Sequence, residues 1–135
     1  MSEQTYPDSV LIVDDQQPMR MLLGGILRNL KFDNIRQSAS GRKALELARS
    51  QRPDILFLDL MMPDMHGLDV LEQLRAMDGG DGIFVVIQTG SATKDNVERA
   101  VELAVGAILV KPYSVDKVNK ALGLYLESRQ NKTPP

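Results

Sequence analysis

Short apolar runs alternate with amphipathic stretches along this chain, the pattern of a parallel sheet whose strands are joined by crossover helices. The first run is Val10 to Val13, after which Met19, Leu22, Leu23, Ile26, Leu27 and Leu30 recur at helical spacing. The pair Gly24-Gly25 weakens that helix, and its presence there is expected to permit close packing. A weaker run, Ile35 to Ala39, suits an edge strand. Ser40 is placed to cap a helix carrying Ala44, Leu45, Leu47 and Ala48, which Arg52-Pro53 ends.

Ile55 to Leu58 is the most continuously apolar strand before Asp59, as suits a central strand covered on both faces and lying beside the first. Gly67 opens a helix with Leu68, Val70, Leu71 and Leu74, and Asp78 to Gly82 form a loop before the strand Ile83 to Ile87. That loop looks like a calcium-binding repeat, but a single copy reads as a turn, because such repeats stack to build their sites. The spacing then predicts a helix over Thr93 to Val105, a strand over Ala107 to Val110, and a last helix capped by Ser114 and carrying Val118, Leu122 and Tyr125. Five strands alternating with five helices predict an α/β fold, a doubly wound five-stranded parallel sheet that binds ligands beyond the carboxyl ends of its strands.

At 135 residues the chain fits one domain. Its 16 Lys and Arg against 18 Asp and Glu leave a formal charge of −2, which gives no basic footprint for nucleic acid. Cysteine is absent, so neither a disulfide framework nor a thiolate metal site is available. The polar start Met1 to Pro7 lacks the features of a signal peptide, and no apolar run approaches membrane-spanning length. The expectation is a soluble cytoplasmic protein with no membrane partner and no direct contact with nucleic acid.

Asp14, Asp15, Asp59, Thr89 and Lys111 all fall at strand carboxyl ends. If the first and third strands are neighbours, three carboxylates converge, and their repulsion demands a cation. Magnesium binds hard oxygens and usually keeps several waters, so one or two carboxylates suffice. Asp15 and Asp59 are the expected direct ligands of Mg2+, with Asp14 acting through water and the backbone carbonyl of Met61 turned toward the ion. An Asp carboxylate can attack phosphorus to give an acyl phosphate if charge on the transferred oxygens is neutralised. Asp59 is the candidate nucleophile; Lys111 can pair with one phosphoryl oxygen, and the Thr89 hydroxyl with the backbone at Gly90-Ser91 can donate to another. A lone strand-end Asp is usually a helix cap, and a Lys-Pro pair is usually a loop. Their joint occurrence in this order favours a site. His66 is expected at the surface and Tyr113 in packing, while Met61, Met62 and Met65 suit either an adaptable contact surface or gap-filling beside the site.

With Asp14-Asp15, Asp59-Leu60-Met61-Met62-Pro63 through Gly67, Thr89-Gly90 and Lys111-Pro112, the chain resembles the receiver domain of two-component response regulators in its stand-alone, chemotaxis-type form. The resemblance spans residues 9–127, leaving 1–8 as an N-terminal extension and 128–135 as a polar tail. It implies a flavodoxin-like sheet of strand order 2-1-3-4-5 and a 4-aspartylphosphate at Asp59, accepted in a Mg2+-dependent reaction from a sensor histidine kinase or histidine phosphotransfer protein. Asp14 and Asp15 are then the metal site, Thr89 and Lys111 the phosphoryl contacts, and Lys111-Pro112 often a cis peptide. The module would catalyse only its own phosphorylation and dephosphorylation. It would signal to an output protein through the face made by residues 93–105, 107–110 and 114–127, as a monomer or a phosphorylation-dependent dimer, or else act as a phosphorelay shuttle.

One position departs from the family pattern. Ile108 stands where a switching Tyr or Phe is frequent, and the connection Val105-Gly106-Ala107 looks short. A phosphatase of the haloacid dehalogenase type would need an acidic residue at position 61, where this chain has Met. A flavin-binding module would need a Ser/Thr/Gly-rich loop in place of Asp14-Asp15-Gln16-Gln17-Pro18.

Overall fold

The computed structural model describes residues 5–90, 92–111 and 114–132, the last three as backbone only. Its elements are β1 (Val10–Val13), α1 (Gln17–Asn29), β2 (Ile35–Ser38), α2 (Gly41–Ser50), β3 (Ile55–Asp59), α3 (Gly67–Ala76), β4 (Phe84–Thr89), α4 (Lys94–Glu102), β5 (Ala107–Val110) and α5 (Val115–Lys132), with a 3-10 turn at Gly80–Gly82. All strands are parallel, in the order β2-β1-β3-β4-β5. The expected doubly wound, flavodoxin-like sheet is therefore present, with β3 at its centre and every residue of β3 buried.

Strand alternation divides the interior into two layers. Leu11, Val13, Leu56, Leu58, Val85 and Ile87 pack with residues of α2, α3 and α4 such as Leu45, Leu71 and Ala100. Val10, Ile12, Ile55, Phe57 and Val86 pack with Leu23 and Leu27 of α1 and with Val118 and Leu122 of α5. Because both faces of the sheet are covered, the inner strands read as continuous apolar runs.

The helix caps follow from side-chain chemistry. Ser40 Oγ accepts from the Lys43 N–H (3.1 Å), Thr93 Oγ1 from Asn96 (3.2 Å) and Ser114 Oγ from Lys117 (3.3 Å). Helix α4 stops earlier than its periodicity predicts. Ala104 takes a left-handed φ of +59°, and Arg75 of α3 donates to the carbonyls of Leu103 (2.9 Å) and Ala104 (3.0 Å), closing the helix end. Strand β4 runs on to Thr89, since Gln88 pairs across to Asp59 and Thr89 to Val110.

One boundary expectation is corrected. Residues 128–132 are not a frayed tail but the last turn and a half of α5, because Ser128 Oγ donates to the Tyr125 carbonyl (2.7 Å) and Arg129 reaches Asp8 (2.6 Å). The N-terminal stretch is likewise joined to the domain from Thr5 onward. The Tyr6 N–H donates to the Lys31 carbonyl (2.7 Å), and its ring stacks on Phe32 with centroids 4.6 Å apart. Asp8 is buried and accepts from the Tyr125 hydroxyl and Arg129. Burial, and then the Asp8 carboxylate, hold the Tyr125 hydroxyl well above the usual phenol range, so it stays a donor.

Close packing is not what the Gly24-Gly25 pair provides. A Cβ at Gly25 would meet nothing within 4 Å, and one at Gly24 only the side-chain tips of Arg28 and Gln37 at 3.5 Å. Beside the acidic residues a close approach is found at Gly67, where a Cβ would lie 2.4 Å from the Asp59 carbonyl oxygen and 2.8 Å from the Leu60 Cα. Replacing Gly25 with Ala is expected to raise unfolding free energy by about 0.5–1 kcal/mol in a urea titration, by removing unfolded-chain entropy. Gly67→Ala is expected to lower it by about 1–3 kcal/mol, because backbone cannot move aside as a side chain does.

Candidate functional site

Parallel pairing in register brings the acidic residues to one edge. Val13 lies opposite Leu58, so Asp14 and Asp59 follow on adjacent strands, and Asp59 lies opposite Gln88 of β4. Thr89 pairs with Val110, which carries Lys111 to the same edge. One carboxylate oxygen from each of Asp14, Asp15 and Asp59 lies within 4.8 Å of the others.

The three carboxylates have different surroundings. Asp14 is fully buried: its Oδ1 accepts from the Gln16 N–H (2.9 Å), and its Oδ2 lies 3.1 Å from the Lys111 ammonium and 3.4 Å from Gln88 Nε2. Asp15 is exposed to solvent. Asp59 is 4% exposed; its Oδ1 lies 3.6 Å from Lys111 Nζ and receives a long hydrogen bond (3.4 Å) from the Met61 N–H. Burial raises the Asp59 carboxyl above its ordinary value; Lys111 opposes that shift, and the charges of Asp14 and Asp15 add to it.

This donor set fits Mg2+ by its chemistry, being all hard oxygens of like charge held at one point. Both Asp14 oxygens are already engaged by protein donors, which suits a role through water, whereas Asp15 faces solvent. Met61 is 66% exposed, and its thioether is not a hard-oxygen donor of the kind the three carboxylates supply.

The loop after Asp59 is held from both ends. The Gly67 N–H donates to the Leu60 carbonyl (2.7 Å), and Asp64 accepts from the N–H groups of Gly41 and Arg42 (3.0 Å each) at the start of α2. Those backbone donors hold the Asp64 carboxyl below the usual carboxylate range. His66 is half-buried and is not a member of the acidic cluster: its Nδ1 caps α3 by accepting from the Leu68 N–H (3.1 Å). Of the methionines, Met62 is buried and Met65 packs against the core, which favours gap-filling for these two.

Thr89 is buried at the end of β4 and lines a narrow cleft with Val97 and Ala100 of α4 and Ile108 of β5. Ile108 thus stands beside Thr89, in the place where an aromatic ring was the alternative. The backbone of Ser91, the Lys111-Pro112 peptide and the packing of Tyr113 lie outside the described residues. Sequence reasoning missed Gln88 and Asp64. The available signal for Gln88 was an amide at an inward position of an apolar strand; Asp64 reaches the start of a helix that lies earlier in the chain, beyond β3, which no local pattern reports.

Among the described residues no helix is long and apolar enough to cross a membrane. The response regulator receiver domain family model matches residues 10–123. The chain is 31% identical over 124 residues to sporulation initiation phosphotransferase F of Bacillus subtilis, covering 92% of this chain and 98% of that protein. It is 32% identical over 113 residues to the chemotaxis protein CheY of Thermotoga maritima, covering 84% and 92% respectively. In fold it matches the CheY-like response regulator receiver domain protein of Methanospirillum hungatei with a TM-score of 0.85, at 20% identity and over 93% of this chain and 98% of that one. The winding of the sheet and a likeness that runs from β1 into α5 agree, and the chain belongs to the response regulator receiver domain family, the signalling modules of two-component systems.

Proposed function

We propose that Asp59 accepts a phosphoryl group from a phosphohistidine on a sensor histidine kinase or a histidine phosphotransfer protein, and that the phosphorylated domain changes its affinity for an output partner. The observation that carries this reading is the Lys111 ammonium set between two buried carboxylates, 3.1 Å from Asp14 and 3.6 Å from Asp59. A structural lysine needs one carboxylate; a third acidic group within reach leaves negative charge that the protein itself does not balance.

In the transfer, an Asp59 carboxylate oxygen attacks phosphorus, a P–O bond forms, and the P–N bond breaks with its electron pair returning to the imidazole nitrogen. Asp59 becomes an acyl phosphate, which water later hydrolyses to restore the carboxylate. Lys111 neutralises one phosphoryl oxygen, and the Thr89 hydroxyl donates to another. Asp15, Asp59 and the Met61 carbonyl would hold Mg2+, with Asp14 acting through water, and the ion would supply positive charge to the phosphoryl oxygens. Burial keeps competing water from Asp59, and Lys111 offsets what burial costs its ionised form.

Ile108 has no polar tip to follow the Thr89 hydroxyl. Repacking in the cleft it shares with Thr89, Val97 and Ala100 is therefore the route by which phosphorylation reaches α4 and β5. The chemistry is that of a module acting on itself, since Met61 supplies no general acid for a phosphatase turning over other substrates. A relay shuttle, passing the group from Asp59 to a second histidine, is favoured as the alternative by the likeness along 98% of a protein named a phosphotransferase.

Beryllofluoride with Mg2+ is expected to move the amide resonances of Thr89 and Lys111, and Asp59→Asn to abolish that response; an unchanged response in the variant would overturn the assignment. Lys111→Ala is expected to keep Mg2+ affinity within about fivefold, a change of ~1 kcal/mol, while suppressing the beryllofluoride response. Loss of metal binding alone would contradict the role given to Lys111. Asp59 also makes the fold pH-dependent. Its folded pKa is raised, so the stability of the neutral carboxyl is fully present below its unfolded pKa and is lost as pH rises through the folded one. Asp59→Asn does not titrate, so without Mg2+ its melting temperature is expected to match wild type in acid and exceed it at neutral pH, by about 2–8 °C per kcal/mol relieved.

A further inference from the structure

The proposed reaction leaves one buried polar group beside the acidic cluster without a role. β4 reads Phe-Val-Val-Ile-Gln-Thr, and Val86 packs in the layer toward α1 and α5. Two residues on, Gln88 emerges on that same side, directly opposite Asp59 in register, with no exposure to solvent. Its Nε2 lies 3.4 Å from Asp14 Oδ2, and its Oε1 is buried with no hydrogen-bond partner among the described residues. Reversing the amide would set Oε1 against a carboxylate oxygen, so the donor orientation is dictated by Asp14. An apolar side chain of the same shape would leave nothing unsatisfied and would favour the fold. A glutamine here therefore serves something other than packing.

Asp14 Oδ2 is shared by two donors, the Lys111 ammonium at 3.1 Å and the Gln88 amide at 3.4 Å. The same ammonium lies 3.6 Å from Asp59. Phosphorylation replaces a singly charged carboxylate there by a phosphoryl group of nearly two charges, which draws Lys111 away from Asp14. Asp14 would then be a fully buried anion that has lost its cation, which is strongly unfavourable unless another donor remains. Gln16 N–H holds only Oδ1. Gln88 carries no charge for the phosphoryl group to draw, and the pairing of β4 with both neighbouring strands fixes its backbone beside Asp14.

We propose that Gln88 is a positioning residue, which holds the Asp14 carboxylate when Lys111 leaves it for the phosphoryl group on Asp59. This rests on the reading of Asp59 as phosphoacceptor. The long 3.4 Å contact is the resting geometry; it shortens as Lys111 withdraws. Gln88 and Lys111 are thus alternative holders of one oxygen, and the loss of either is partly covered by the other.

That redundancy is tested by a double-mutant cycle on Mg2+ affinity, with Gln88→Met, which keeps the volume and removes the donor. Gln88→Met alone is expected to weaken Mg2+ binding about twofold, and Gln88→Met in the Lys111→Ala background about tenfold or more, a coupling that independent sites do not show. Equal fold-changes in the two backgrounds would overturn the proposal. The melting temperature of Gln88→Met is expected to equal or exceed that of wild type; a fall would make Gln88 a packing residue instead. A second measurement uses the unaltered protein: the Gln88 side-chain amide protons should shift when beryllofluoride and Mg2+ are added, and resonances that stay fixed while those of Thr89 and Lys111 move would refute the role of Gln88 alone. If wild type neither binds Mg2+ nor responds to beryllofluoride, the assignment of Asp59 fails, and this one with it.

Discussion

Repulsion among carboxylates at the edge of a parallel sheet is the constraint around which this molecule is organised. Asp14 and Asp59 are almost wholly withdrawn from water on adjacent strands, and Asp15 stands within reach of both. Such a cluster opposes folding unless its charge is answered. Lys111 answers part of it, and the backbone N–H groups of Gln16 and Met61 answer more. What remains uncompensated is the electrostatic basis for attracting a divalent cation. Burial raises the Asp59 carboxyl, the lysine beside it opposes that shift, and the neighbouring carboxylates add to it.

A site held under such repulsion needs a scaffold whose stability comes from elsewhere. The two core layers supply it, with β3 buried along its whole length between them. Away from the acidic edge, the N-terminal stretch and the last helix are fastened to each other through Asp8, Tyr125 and Arg129, and Tyr6 is stacked on Phe32. Arg75 ties α3 to the end of α4 by two donations to the carbonyls of Leu103 and Ala104, and to the turn before β4 by two more to Gly80 and Ile83. The loop that follows Asp59 is pinned by Asp64 to α2 and by Gly67 to Leu60. None of these attachments involves Thr89 or Ile108, which line the cleft.

Most of the fold was legible because both of its periodicities are strong. Continuous apolar strands such as Ile55 to Leu58, and helices with caps at Ser40, Thr93 and Ser114, announce themselves from local residues alone. Element ends were less legible. The last turns of α5 look polar, yet they persist because Arg129 finds Asp8, a partner 121 residues away in the chain. The early stop of α4 depends on Arg75 reaching over from α3 to carbonyls that a linear reading does not connect to it. The Gly24-Gly25 pair looked like a packing device, yet Gly25 faces open space and Gly24 meets only side-chain tips, while the Gly67 contact with the Asp59 carbonyl had no local signature.

For the site, residue types and order along the chain were sufficient to nominate Asp14, Asp15, Asp59, Thr89 and Lys111, since chemistry at strand ends requires only that the strands be parallel and adjacent. Which side chains neutralise one another was decided only by the tertiary structure. Lys111 divides itself between Asp14 and Asp59, and Gln88, unremarked in a strand of apolar residues, lies against Asp14. Periodicity reports which face of a strand a residue occupies. Distances of 3 to 4 Å between groups on β1, β3, β4 and the end of β5 exist only once register, twist and burial have been set together.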